Sequence, residues 1–210
     1  MIDEKLLPLF DSVKDNDENM LWTGKPVFIP YLTSGISVDL FILVFTIGFM
    51  YITFTGEAES GNPSNMFYII ALLPLIQRVY VFLIKLLSFS NTAYAYSNKR
   101  IMIRTGFIGT DFKTIDYDKI SDIEVKVSVI EKMFDVGTVR FYSGRTENTD
   151  NGIKKLTDRW IAITNPYEIF KMVKQISVDI KTDYNYPNAL RPESNPGYNT
   201  KYKRKPNSLS

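Results

Sequence analysis

The chain changes its hydrophobic rhythm twice. Residues 1–35 are mostly polar, with a short amphipathic stretch at Asp3–Phe10, a charged loop at Asp11–Asn19 and a break at Gly24-Lys25-Pro26. Ile36–Thr55 then runs apolar with a single charge, Asp39, near its start. No turn signal interrupts it and no polar face divides it, so it reads as a helix of about 30 Å, enough to cross a bilayer's hydrocarbon core. Gly56–Asn65 (GEAESGNPSN) has loop composition. Met66–Phe89 is a second apolar run, carrying Pro74, Gln77, Arg78 and Lys85. The pattern predicts a polar cytoplasmic leader over 1–35 and a transmembrane helical hairpin over 36–89, its spans at about 36–55 and 66–88.

From Asn91 the period falls to two. Thr92–Tyr96 alternates, Ser97-Asn98 turns, and Lys99–Arg104 alternates again, with Ile101 and Ile103 on one face and Arg100, Met102 and Arg104 on the other. Asp111–Tyr117, Ile120–Ser128, Gly137–Ser143 and Arg159–Ile163 complete about six antiparallel strands. Gly144–Asp158 reads as an exposed polar loop. Asn165-Pro166 then opens a helix, with Asn165 as cap and Pro166 in the first turn. Ile169, Phe170, Val173 and Ile176 share one of its faces. The segment 90–178 is therefore a small α+β domain, its bent sheet or barrel closed by one C-terminal amphipathic helix. Asp179–Ser210 is poor in aliphatic residues and reads as a disordered basic tail.

Charge is distributed unevenly. Six acids and three bases lie between Met1 and Gly35, whereas Ser90–Val178 holds fourteen bases and eleven acids. The loop between the apolar runs has glutamates and no base, and Lys99, Arg100 and Arg104 follow the second run. The positive-inside rule then puts that loop outside and both termini in the cytoplasm, giving a multi-pass protein of the plasma (inner) membrane. Trp22, Phe28 and Tyr31 precede the first span; they either sit at the membrane interface or pack on the domain.

The chain has no cysteine and no histidine. Thiol nucleophiles, zinc–thiolate sites and the commonest general base are excluded, so the expectation is a protein that is not an enzyme. No catalytic, cofactor-binding or metal-binding residue is assigned. Asp116, Asp118, Asp122 and Glu124 sit on alternating strand positions and a turn, without the glycine that defines a calcium loop.

Three sets of residues remain as candidates. Lys99, Arg100 and Arg104 form either a cationic patch facing anionic headgroups or ordinary outward strand charges. Arg78 lies about twelve residues into the second run, where it snorkels toward the headgroups, packs in the hairpin or serves a functional polar site, with Asp39, close to the same cytoplasmic side, as a possible partner. Lys201, Lys203, Arg204 and Lys205 are a basic cluster in the tail that is either a simple solvated end or a binding segment, for which lipid is a better target than nucleic acid.

The string Tyr94-Ala95-Tyr96-Ser97-Asn98-Lys99-Arg100-Ile101, followed by Arg104-Thr105-Gly106, resembles the entry to a bacterial pleckstrin-homology (PH) domain. Ile115–Ile123, Val125–Val129 and Phe134–Val139 (FDVGTV) continue the likeness, with Asp135 where that family usually has a glycine. Leu21–Pro26 (LWTGKP) and Arg159–Ile176 fit at either end. The resemblance implies a PH-like split barrel anchored in a bacterial plasma membrane, with no shared enzymatic activity. The expectation is an interaction module on the cytoplasmic face that binds a protein partner, its own copies or the inner leaflet. An accessory subunit of a transport or secretion complex is the alternative. Lipid bilayer and a protein partner or homo-oligomer are the expected partners; no cofactor and no nucleic acid are expected.

Overall fold

Met20–Gly24 (MLWTG), inside the stretch that the pattern assigns to a leader, forms strand β1 at the edge of a sheet. In the computed structural model, which describes residues 2–60, 65–149 and 152–185, the chain continues through α1 (Phe28–Leu32), α2 (Ile36–Ser60) and α3 (Asn65–Ser88). Then come β2 (Ala93–Ser97), β3 (Arg100–Thr105), β4 (Asp111–Asp116), β5 (Asp122–Lys126), α4 (Val129–Met133), β6 (Val136–Thr149), β7 (Gly152–Thr164) and α5 (Pro166–Asn185). The strands form two antiparallel sheets, β1-β2-β3-β4 and β5-β6-β7. The expected barrel does not close, because β4 and β5 belong to different sheets and the chain between them is a short 3₁₀ turn, Tyr117–Lys119.

β1 pairs with β2, placing Trp22 opposite Tyr96 and Gly24 opposite Tyr94. A bulge at Leu21 puts two β1 residues against one of β2, so Met20 and Trp22 point to opposite faces. Trp22 joins the main core with Tyr94, Tyr96, Ile101, Trp160 and Val173. Met20 joins Ala93, Ala95, Met102 and Phe10 on the outer face. There the 3₁₀ segment Glu4–Leu9 and Phe10 cover the sheet, and the small alanines of β2 let them approach. The first 35 residues are thus not a separate leader: they supply an edge strand and a lid. Of the three aromatics near the first helix, Trp22 and Tyr31 are buried, while Phe28 stays exposed with its ring against Phe89.

Sheet β5-β6-β7 packs Ile123, Val125, Val139, Phe141, Trp160 and Ile163 inward, and α5 closes the space with Ile169, Val173 and Ile176. Gly137 on β6 permits this closure, since a Cβ there would lie 2.8 Å from Pro166 Cγ and 2.9 Å from Val127 Cγ2. Residues 144–158 are a correction to the expected loop: β6 and β7 run on as one long hairpin past an irregularity between Tyr142 and Thr146. The strand signal is absent there because this stretch has little apolar content to alternate. Inside it, buried Asp158 accepts from Arg145 and pairs with Lys113 of β4, bracing one sheet against the other. α5 continues to Asn185, so residues 179–185 are helical, not part of a disordered tail.

α2 also runs further than the expected span, through residues assigned to a loop. α2 and α3 touch one another. Among the described side chains most of their large apolar ones are exposed, including Phe41, Val44, Phe45, Ile76 and Val79. Among the described residues one helical stretch, Leu72–Asn91, is long and apolar enough to cross a membrane, and Val38–Thr53 is a shorter apolar stretch. The expectation of two full spans is reduced to that.

Candidate functional site

The β2–β3 turn and the charged loop of the first 20 residues meet in a clasp. Ser97 ends β2, and its Oγ accepts from the backbone N–H groups of Lys99 and Arg100, at 3.0 and 3.1 Å, which forms the turn. Against it the carboxylate of Glu18 is fully buried. Its Oε1 accepts from Ser97 Oγ at 2.5 Å and Arg100 Nε at 3.1 Å. Its Oε2 accepts from Arg100 Nη2 at 2.8 Å and the Asp15 N–H at 3.0 Å. Arg100 also donates to the Val13 carbonyl at 3.1 Å and lies 3.1 Å from Asp15. Lys99 reaches Asp17 at 2.6 Å and Asp15 at 3.2 Å.

Burial alone would raise the Glu18 carboxyl, but hydrogen bonds from Arg100, Ser97 and the Asp15 N–H, with the guanidinium's charge, outweigh it and hold the group below its ordinary value. The hydrogen bond to Asp17 pushes the Lys99 ammonium up, as that to Glu18 does Arg100. The uneven charge along the sequence is therefore largely internal: acids of the early chain neutralise bases of the β2–β3 hairpin.

This geometry divides the expected cationic patch. Lys99 and Arg100 stand at one end of β3, occupied by the clasp. Arg104 stands at the other, about 13 Å away along the strand, where it donates to the Asn91 carbonyl at 3.0 Å and to Thr110 Oγ1 at 3.4 Å. Only the Arg104 end adjoins the helices. A patch presented as one unit to lipid is not assembled. In the sequence Asp15, Asp17 and Glu18 are visible only as charges, more than 80 positions from Lys99 and Arg100.

In the helices, Arg78 Nη1 lies 3.3 Å from Asp39 Oδ1. The contact is a single one, both side chains are partly exposed, and Arg78 Nε has no partner. Lys85, about two turns further along the same face of α3, donates to Ser34 Oγ at 3.0 Å and to the Ser34 carbonyl. These polar groups cluster where α2 and α3 leave the domain. Lys201, Lys203, Arg204 and Lys205 lie outside the described residues. Asp116 is paired with Lys119, and Glu124 accepts from Tyr142, on exposed surface.

An open cleft of about 1130 Å³ runs between β1 and the first turns of α5. Trp22, Tyr96 and Ile169 contribute to its lining, with Leu21, Glu168 and Met172 more exposed to solvent. Asp3, Glu4, Lys5, Lys25 and Glu168 place charges of both signs around this apolar floor.

A family model described as a bacterial PH domain matches residues 38–161. The chain belongs to that family. The match takes in α2 and α3 as well as most of the strands, and leaves out β1 and α5, which complete the PH domain. Asp135, at the family's usual glycine, has φ 53°, so it occupies the left-handed conformation that a glycine would take there. A crystal structure of a DUF1696 family protein with a pleckstrin-homology domain, from Shewanella loihica, is similar over 41% of this chain and 70% of that one, at 14% identity and a TM-score of 0.30, and at that level carries no argument. No curated protein matches the sequence.

Proposed function

We propose that the protein is a membrane-anchored PH-domain binding module without enzymatic activity, held at the cytoplasmic face of a bacterial plasma membrane by α2 and α3. The observation that carries the reading is the position of the helices. They are inserted between two strands that pair with each other, and they expose Phe41, Val44, Phe45, Ile76 and Val79 to surroundings that the domain does not supply. A contiguous apolar surface of that size is rare on a soluble monomer and calls for a lipid or protein environment. Because Gly24 and Tyr94 are paired, a membrane segment between them begins and ends on one side, which favours an even number of crossings. With bases following α3, that side is the cytoplasm, and both termini lie there.

The domain's share is binding. The cleft beside β1 and the open edge of β4 are where a protein partner or a second copy would add a segment. Anionic headgroups remain within reach of Arg104 but not of the clasped Lys99 and Arg100. The alternative, an accessory subunit of a transport or secretion complex, would rest on the Arg78–Asp39 contact between the helices.

Alkaline extraction of native membranes, followed by crosslinking and capture of the intact chain beside a Met172→Glu, Leu21→Glu variant, tests both parts. The protein is expected in the extracted membrane pellet, with a defined crosslinked partner that the variant loses. Release into the supernatant would end the anchoring reading. Identical capture by both chains would remove the cleft from consideration.

A further inference from the structure

The β3–β4 connection ends in an apolar point. Ile108 is 91% exposed, and Phe107 beside it is also exposed. The loop is shaped, not slack. Gly106 has φ 145°, and its backbone packs so closely on the Gly109 carbonyl that a Cβ would stand 2.1 Å from that oxygen. The Gly106 carbonyl accepts from Asn91 Nδ2 at 3.2 Å, and Arg104 ties Asn91 and Thr110 together. Asn91 closes the 3₁₀ turn directly after α3. The tip is therefore fastened to the base of the helices.

A second exposed apolar pair stands at the same base. Phe28 and Ile29 lie on α1, and the Phe28 ring meets Phe89 edge-on with centroids 4.9 Å apart. Between α1 and α2 there is only Thr33–Gly35, so these side chains cannot be far from where α2 begins. Lys25 completes the surroundings with its ammonium on the Ser90 carbonyl. At the other end of the same sheet the connections carry Asn98, Lys99, Asp118 and Lys119. The domain is thus apolar-tipped at the helix end and polar at the far end. That is the polarity of a body resting on a bilayer, with aliphatic and aromatic tips in the interface and a base among the headgroups.

We propose that Phe107 and Ile108, with Phe28 and Ile29, form a lipid-contacting foot that enters the interfacial layer of the bilayer and fixes the PH domain's height and tilt against it. The inference rests on the anchoring reading, and its occupant is lipid because exposed Ile36, Val38, Leu86 and Leu87 carry the apolar surface of α2 and α3 down to the base that the foot shares.

The chain has no cysteine, so single labels are clean. Full-length Ile108→Cys, Val44→Cys and Lys119→Cys chains, each carrying an environment-sensitive fluorophore, are reconstituted into phosphatidylcholine–phosphatidylglycerol vesicles containing nitroxide-labelled lipid. The labels at 108 and 44 are expected to be quenched by the lipid nitroxide several-fold more than the label at 119. Quenching at 44 but not at 108 overturns the foot and leaves the anchoring intact. Quenching at neither overturns both. Disulfide-linked dimers of the unlabelled Ile108→Cys chain, with no lipid quenching at 108, would give the tip to a second copy instead. As a check on the label's own affinity for lipid, Phe107→Ser is expected to weaken quenching at 108 while leaving that at 44 unchanged. A label quenched equally with and without Phe107 would count against the foot.

Discussion

An acid from the early chain meets an arginine from the later chain in two places, and the two are built differently. At the clasp, Glu18 and Arg100 share two oxygens and two nitrogens, and Ser97, the Asp15 N–H and the Val13 carbonyl take up what is left. Between the helices, Asp39 and Arg78 share one contact, and a guanidinium N–H remains without a partner. A buried ion pair is tolerable only when its remaining hydrogen-bonding capacity is also met. The saturated site is therefore structural, and has no spare valence for a ligand. The unsaturated one can open at little cost.

The largest test of that contrast removes one side of the clasp altogether. Deleting residues 2–24 takes away β1, the outer-face lid and Glu18, and should leave no protease-resistant PH domain. Replacing residues 36–88 by a short Gly-Ser linker should leave a folded domain, judged by circular dichroism and limited proteolysis. Next, Arg100→Ala leaves Glu18 buried and unpaired, and should cost about 3–5 kcal/mol in denaturant unfolding. The apolar pair Glu18→Met, Arg100→Leu should recover much of that loss. Arg78→Leu should change stability by no more than about 1 kcal/mol, since a partly exposed single contact is worth little. A loss as large as that of Arg100→Ala would erase the distinction.

A smaller effect concerns pH. Glu18 is held below its ordinary value of 4.5, so its contribution is complete above that value and is lost as pH falls through the lower folded one. Unfolding midpoints of the intact chain should drop on acidification through that window, and those of Glu18→Gln should drop less. Smallest of all, Asp135→Gly should shift stability by less than about 1 kcal/mol, because the left-handed backbone there suits glycine at least as well. Asp135→Val should be clearly worse by the same thermal measurement.

The parts of the fold that announced themselves have a local period. β2 to β5 and the helix from Pro166 each turn large apolar side chains to the main core at a regular spacing, so alternation or helical spacing marks them, although the outer face of β2 is buried as well. β1 escaped because it has five residues, carries a bulge that reverses its faces, and pairs with a strand beyond both long helices. The β6–β7 extension escaped because Gly144–Asp158 supplies charged and hydroxyl side chains where alternation needs apolar ones. Of the candidate residues, Asp39 and Arg78 were visible as a possible pair near one end of the two apolar runs, but their facing each other at one depth depends on how the helices pack. Lys99 and Arg100 were visible as charges, but their neutralisation depends on a contact across some 80 positions, which no local window contains. The foot at Phe107 and Ile108 gave no signal apart from its setting, since two apolar residues between glycines are unremarkable until their neighbours are known.

The insertion of the helices between paired strands also sets an order of assembly during synthesis. β1 leaves the ribosome first, yet its partner β2 is not made until both helices have been. If the helices enter the membrane as proposed, Trp22 must wait, solvent-exposed, until the second of them has returned the chain to the starting side. A helix pair inserted with the wrong number of crossings would strand β2 across the bilayer from β1, and the core around Trp160 would never form. On that proposal the folded domain would double as a proofreading step for insertion, and a misinserted chain would be marked for degradation by its own unmade sheet.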